Sequence, residues 1–406
     1  MKYLVAFTVF LLAESTLLAQ SGVSETVQKE SGILAKSDLE PRLKLAGENR
    51  TELEKALSEA PEEHRKAISF LIQNMRRDDL QSLSSEFLLE NVKLAYSARE
   101  TFPWSKEVPE EVFFNDVLPY ANVDEKRENW RAKLLAIASP IVKDCKTTEE
   151  AAQALNQHLF KTVTVKYSTK RKKANQAPGE SMDQGLASCT GLSILLVDAC
   201  RSVNVPARVV GIPRWTNKPG NHTWVEVWSE GDWHFTGAAE YNAKGLDRAW
   251  FTKSAALADK NKRLNSIYAV SFARTSTVFP TVWSLDRENW VYAINVTDRY
   301  TKGSIPEAKP EDQIAVRFRV WNAGRKERIA VPVEVLNAKD QTSIASGKST
   351  GNEADMNDMY EVPLKKNTEY QVRIGTGDQA QTVSIKTAKE EMMMLEIEIK
   401  HERNQN

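Results

Sequence analysis

An excess of charge of either sign is missing from this chain. Its 55 Lys and Arg balance its 55 Asp and Glu, giving a formal net charge of zero. That removes a general attraction to nucleic acid or anionic lipid. A Gly-rich phosphate loop ending in a Gly-Lys pair and a hydroxyl residue is absent, and so is an HExxH helix. P-loop phosphate binding and helix-borne zinc chemistry are thus left without their motifs. Cysteine is scarce, with only Cys145, Cys189 and Cys200. An odd count leaves one thiol over whatever the others do.

A long apolar run is lacking too. The N-terminal stretch "YLVAFTVFLLAESTLLA" is interrupted by Glu14 and is short for a membrane span. A charged start at Lys2, an apolar centre and a small residue at Ala19 read as a signal peptide over residues 1–19. No cysteine follows it to take a lipid. The expectation is a secreted or periplasmic protein in an oxidising compartment, with no membrane span after signal removal. There, Cys145 and Cys200 are the candidate disulfide, or else two buried thiols packing as small hydrophobes.

What is present is ordinary globular composition, 41% hydrophobic and 27% charged, enough for two or three domains. Residues 20–144 read as a helical N-terminal region. "FLIQNMRRDDLQSLSSEFLLENVKLAYSAR" spaces its apolar residues by three and four, the helical period. Thr147 followed by Glu150 is a capping-box signal for the next helix, on which His158 reads as structural or at the surface. "VTVKY" reads as a strand, and the basic run Lys170–Lys173 as a solvated face. An apolar helix runs from Cys189 to about Val203. "ARVVGI", "HTWVEVWS" and "WHFTGAAE" are strands, rich in β-branched and aromatic residues. Residues 276–310 continue with strands and a linker. Short alternating runs across 311–400 predict an all-β sandwich.

Cys189 stands where the apolar helical pattern begins. A thiolate there is stabilised by the macrodipole and the free N–H groups. His222 follows the turn "KPGN" and opens a strand, where an imidazole can lean over a helix start as general base. Each alone is more often structural. An orienting carboxylate is the third requirement. If "EGD" at 230–232 is a three-residue hairpin loop, Ser229 pairs with Trp233 and His222 faces Glu240. A loop one residue different places Ala239 there instead. Gln184, just upstream, is a candidate oxyanion donor beside the backbone N–H of Cys189. Trp224 is core or a wall of the acyl site. Cys189, His222 and His234 as a metal site lack any compact ligand spacing, and no cofactor is implied.

These residues carry a resemblance. "SCTGLSILLVDACRSVNVPARVVGIP" and "NHTWVEVWSEGDWHF" resemble the core of the transglutaminase-like superfamily, with Cys189, Arg201, Val205–Arg208, His222, Trp224 and Glu226 matching in order. The resemblance implies an α+β fold with a papain/transglutaminase-like core over residues 145–275. It also implies a cysteine enzyme forming a thioester acyl-enzyme on peptide or protein amides. Hydrolysis is favoured over amine transfer. One departure stands out: the family's aspartate falls four residues after the hairpin tryptophan, which here is Gly237. Glu240 is the nearest carboxylate and takes the orienting role. The alternative is a non-catalytic binding or scaffold protein, with the C-terminal β domain bound to a partner the sequence does not identify.

Overall fold

The computed structural model describes residues 36–217, 219–281, 291–301, 312–325, 327–351, 359–377, 380–388 and 392–399. The stretch 1–19 that reads as a signal peptide, the polar stretch up to residue 35 and the linker at 302–311 lie outside the described residues.

Among the described residues eight α-helices come first: α1 Lys36–Leu45, α2 Arg50–Glu59, α3 Glu62–Asn74, α4 Arg77–Ser82, α5 Ser85–Thr101, α6 Glu110–Asp116, α7 Trp130–Val142 and α8 Thr148–Thr162. Their boundaries follow from local chemistry. Ser84 caps α5 by accepting the N–H of Phe87 at 3.2 Å, and Leu88, Val92 and Ala95 then recur on its buried face. Thr147 caps α8 by accepting from Glu150 at 3.1 Å. The Glu150 carboxylate returns to the N–H of Lys146 at 2.7 Å, one residue earlier than a capping box would place it. The first six helices bury a core of their own around Leu53, Leu71, Leu88 and Phe113, against which Trp228 and Trp233 also pack.

The chain then forms β1 Lys166–Tyr167, α9 Pro178–Gln184, β2 Leu186–Ala187 and α10 Cys189–Ser202. Of "VTVKY" only the last two residues are strand, paired in parallel with β2. Strands β3 Ala207–Ile212, β4 His222–Ser229 and β5 Asp232–Thr236 follow, then α11 Thr252–Ala255, β6 Tyr268–Val270, β7 Thr277–Val278, β8 Tyr292–Asn295 and α12 Thr297–Thr301. The six strands make one antiparallel sheet in the order β5-β4-β3-β6-β8-β7.

Strand alternation divides the sheet's residues between two cores. Ala207, Val209, Val225 and Val227 join α7, α8 and α10 in one. Val210, Ile212 and Trp224 join Trp215 and Phe251 in the other. With apolar partners on both faces, β3 is buried along its whole length. Its single charge, Arg208, is held by the directly opposed Glu226 at 2.7 Å. Arg299 and the hydroxyl of Tyr300, both on α12, bind the other carboxylate oxygen at 3.0 and 2.8 Å. Burial alone would raise the Glu226 carboxyl, but the Arg208 and Arg299 charges outweigh it and hold the group below its ordinary range.

The C-terminal strands are β9 Gln313–Trp321, β10 Pro332–Asn337, β11 Ser343–Lys348, β12 Tyr360–Lys365, β13 Glu369–Ile374, β14 Gln381–Lys386 and β15 Met392–Glu398. Two sheets, β11-β10-β13-β14 and β12-β9-β15, close over Val316, Phe318, Val335, Leu364 and Val372. This is a sandwich core fed by alternate residues of both sheets. Strand β11, "SIASGK", is mostly exposed and weakly apolar, which is why alternation did not announce it. Glu361 of β12 binds Arg317 within the sandwich at 2.8 Å and Arg214 of the preceding core at 2.7 Å. Among the described residues no helix is long and apolar enough to cross a membrane.

Candidate active site

Cys189 is set by the cap of α10. Ser188 accepts the N–H of Gly191 at 3.0 Å, and its own hydroxyl donates to the carbonyl of Ala174. Cys189 is therefore the first helical residue, and its thiol sits at the positive end of the helix. Upstream, Gly185 ends α9 at φ 68°, a left-handed conformation that glycine takes without strain. Thr190 through Ser202 are all buried, so the helix start has a rigid support.

His222 opens β4 opposite Ile212. Gly211, next to Ile212 and opposite Thr223, has no room for a side chain: a Cβ there would lie 2.8 Å from the carbonyl of His222. The buried imidazole packs among Trp215, Trp224, Trp250 and Phe251, with ring centroids 6.2, 5.9, 5.0 and 5.0 Å away. Trp224 is fully buried, a core residue whose indole donates to Tyr300 at 2.9 Å.

One direct link brings helix start and strand start together. The hydroxyl of Thr190, next to Cys189, and that of Thr223, next to His222, are hydrogen-bonded at 3.1 Å. Cys189, His222 and Glu240 line a single cavity of about 670 Å³, with Trp250, Tyr167, Lys161 and Lys166 also in its wall.

Glu240 arrives there by a different route from the one the hairpin arithmetic describes. The loop has two residues, not three: Ser229 pairs with Asp232, and Trp228 with Trp233. Glu230 and Gly231 both have positive φ, 51° and 88°, the geometry of a two-residue hairpin turn. The ladder ends at Val225–Thr236 and never reaches His222. A turn through Gly237, Ala238 and Ala239 carries the chain to Glu240 instead. Asn156 of α8 holds that turn. Its amide donates to Thr236 Oγ1 and to the Gly237 carbonyl, each at 2.9 Å, and its oxygen accepts the N–H of Ala239 at 2.9 Å.

The Glu240 carboxylate lies over Gly237, in the space a Cβ at 237 would need. Oε1 accepts the indole N–H of Trp250 at 3.0 Å. Oε2 is buried with no hydrogen-bond partner among the described residues. Burial pushes the carboxyl above its ordinary range, against the opposing pull of the Trp250 N–H. The link from Glu240 to His222 that the structure displays thus runs through Trp250, which bonds the one and packs on the other.

Gln184 is elsewhere. Its side-chain oxygen accepts the N–H of Lys172 at 3.0 Å and its amide donates to the Lys170 carbonyl at 3.3 Å. It ties down the basic loop and is not in the cavity wall. Cys145 and Cys200 are not bonded to each other, and of the two readings the sequence left open the structure displays the pair of thiols. Cys200 is buried on α10, which pushes its thiol up to about 12, and Cys145 packs half-buried against the same core. His234, considered with the thiol as a metal ligand, has its Nδ1 at 2.7 Å from Asp247 Oδ2.

Sequence reasoning missed Thr190, Thr223, Asn156 and Trp250. The two threonines each adjoin a quoted motif residue, the only signal available. Asn156 acts across 80 to 83 residues, and Trp250 across 10 to Glu240 and 28 to His222, separations for which no local pattern exists.

Residues 135–236 match the family described as the Transglutaminase-like superfamily. That segment is a transglutaminase-like domain; it contains Cys189 and His222 and ends four residues before Glu240. No curated protein matches the chain. Among solved structures it is similar to a candidate cysteine protease from Cytophaga hutchinsonii, at 19% identity and a TM-score of 0.25, covering 30% of this chain and 42% of that one. It is also similar to red sea bream transglutaminase, at 8% identity and a TM-score of 0.27, covering 74% of this chain and 59% of that one. The chain thus spans less than two thirds of either, and at such TM-scores neither likeness adds to the argument.

Proposed function

We propose that this protein is an exported thiol enzyme, secreted or periplasmic, that cleaves amide bonds of peptides or proteins. Cys189 Sγ attacks the carbonyl carbon and its proton passes to His222. The tetrahedral intermediate collapses, the C–N bond breaks, and the amine leaves with the proton from His222. Water then adds to the thioester, gives its proton to His222, and the acid departs as the thiol is restored. The backbone N–H of Cys189, at the helix start, is the natural oxyanion donor. Glu240 supports His222 through Trp250. Water as acceptor requires only the one cavity to be filled, which favours hydrolysis over transfer to an amine.

The observation that carries this reading is the placement of Cys189 and His222 in one cavity, with the Thr190–Thr223 bond beside them. The test is labelling by a thiol-directed activity probe, mapped by mass spectrometry, in wild type, Cys189→Ala and His222→Ala. The expected result is strong labelling at residue 189 that His222→Ala sharply slows. Equal labelling of wild type and Cys189→Ala removes the nucleophile and leaves a binding protein.

A further inference from the structure

We propose that the cavity beside Cys189 takes an acyl donor bearing a carboxylate, an acidic peptide, with Lys161 and Lys166 as its counter-charges. This rests on the thiol reading above and names its substrate class. Apart from His222, the charged residues of the cavity wall are Lys161, Lys166 and Glu240. Lys161 lies in the last turn of α8 and Lys166 opens β1, so one short segment brings two ammonium groups to the site. Both are exposed, and among the described residues neither forms an ion pair. Lys161 also complements the C-terminal end of its helix. Lys166, on a two-residue strand, has no helix end to complement.

Glu240, a single acid, can offset only one of the two lysines. One of its oxygens is committed to the Trp250 indole, and its carboxyl is folded over Gly237. The wall therefore carries a surplus of positive charge next to the thiol. Exposed apolar surface gathers at the same place. Of five large hydrophobic residues exposed among the described residues, Tyr167 (52%) and Trp250 (59%) both line this cavity. Aromatic faces of that kind hold a peptide chain, and the ammonium groups select one that carries an anion.

A small anionic electrophile stands in for the acidic acyl donor. The experiment measures second-order alkylation of Cys189 by iodoacetate and by neutral iodoacetamide, in the full chain with Cys145→Ser to silence the half-buried thiol. Low-salt rates are compared for the native lysines and for Lys161→Glu/Lys166→Glu. The iodoacetate-to-iodoacetamide ratio is expected to fall ~tenfold on charge reversal. The difference should shrink in ~0.5 M salt, where charges are screened within a few ångströms. The milder Lys161→Ala/Lys166→Ala protein, expected to change the ratio about threefold in the same sense, serves if the reversal misfolds. An unchanged ratio in the folded variants overturns the inference. Failure of the thiol reading shows separately, as an iodoacetamide rate that His222→Ala leaves untouched.

Discussion

The hydroxyls of Thr190 and Thr223 meet at 3.1 Å in the buried interior. Each belongs to the residue directly after a candidate catalytic one. The bond therefore holds the first turn of α10 against the start of β4, and with them the thiol and the imidazole.

Thr190→Val and Thr223→Val keep the side-chain shape and remove one partner each. Either leaves a buried hydroxyl unsatisfied, which costs about 1–3 kcal/mol. Urea unfolding should show this loss. Replacing both should cost less than the two single losses added together. Alkylation of Cys189 should slow by ~10-fold or more in each single variant as the facing elements loosen. Unchanged stability and rate would mean the bond is idle.

Gly237→Ala forces a Cβ into the space of the Glu240 carboxylate. The carboxylate must move, releasing the Trp250 N–H and with it the support of His222. We expect Cys189 reactivity to fall by about 10- to 100-fold with the fold retained by circular dichroism. Removing the obstruction in Gly237→Ala/Glu240→Ala should relieve strain without restoring reactivity. A fully reactive Gly237→Ala would separate Glu240 from the chemistry.

Asp116 is buried at the end of α6, and burial raises its carboxyl to about 6 despite the nearby Arg208 and Arg201 charges. An acid raised on folding binds its proton more tightly in the folded state. Its stabilising contribution is complete below the unfolded value, near 4, and is lost as pH rises through about 6. Asp116→Asn should therefore exceed wild type at pH 8, by about 1–3 kcal/mol, and the gap should close by about pH 4. Urea midpoints at the two pH values check it; an equal gap at both would refute the assignment.

Glu226 works in the opposite sense. Its carboxyl is held below the ordinary range, so the stability it contributes is present above that range and is lost as pH falls through its lowered folded value. Glu226→Gln leaves Arg208 and Arg299 without their counter-charge in a buried site. A loss of about 3–5 kcal/mol is expected near neutral pH, read from the urea midpoint. A loss below about 1 kcal/mol would show that water reaches the arginines.

Sequence by itself determined the local architecture of this protein. Thr147 as a cap, the apolar helix that begins at Cys189 and the β-branched strands around Pro206 each state their structure through neighbours a few residues away. The motif residues Arg208, Glu226 and Trp233 were legible as a family pattern, and their packing is now plain: Glu226 pairs with Arg208, whose guanidinium lies 3.7 Å over the Trp233 ring. Cys189 and His222 were legible as candidates for the same reason.

Tertiary structure alone decided the rest. Two-residue and three-residue hairpin loops can be written from the same "SEGDW", and the difference of one residue changes what faces what. Backbone twist selects the two-residue turn, with positive φ at Glu230 and Gly231. Glu240 then reaches the cavity because Asn156, 81 residues before Gly237 in the chain, anchors the intervening turn, and because Gly237 leaves space for a carboxylate. The thiols of Cys145 and Cys200 stayed apart, and Gln184 turned to the basic loop. Each of these outcomes depends on which distant groups share a pocket, and such contacts are decided by packing and hydrogen-bond satisfaction across the whole fold rather than by any pattern along the chain.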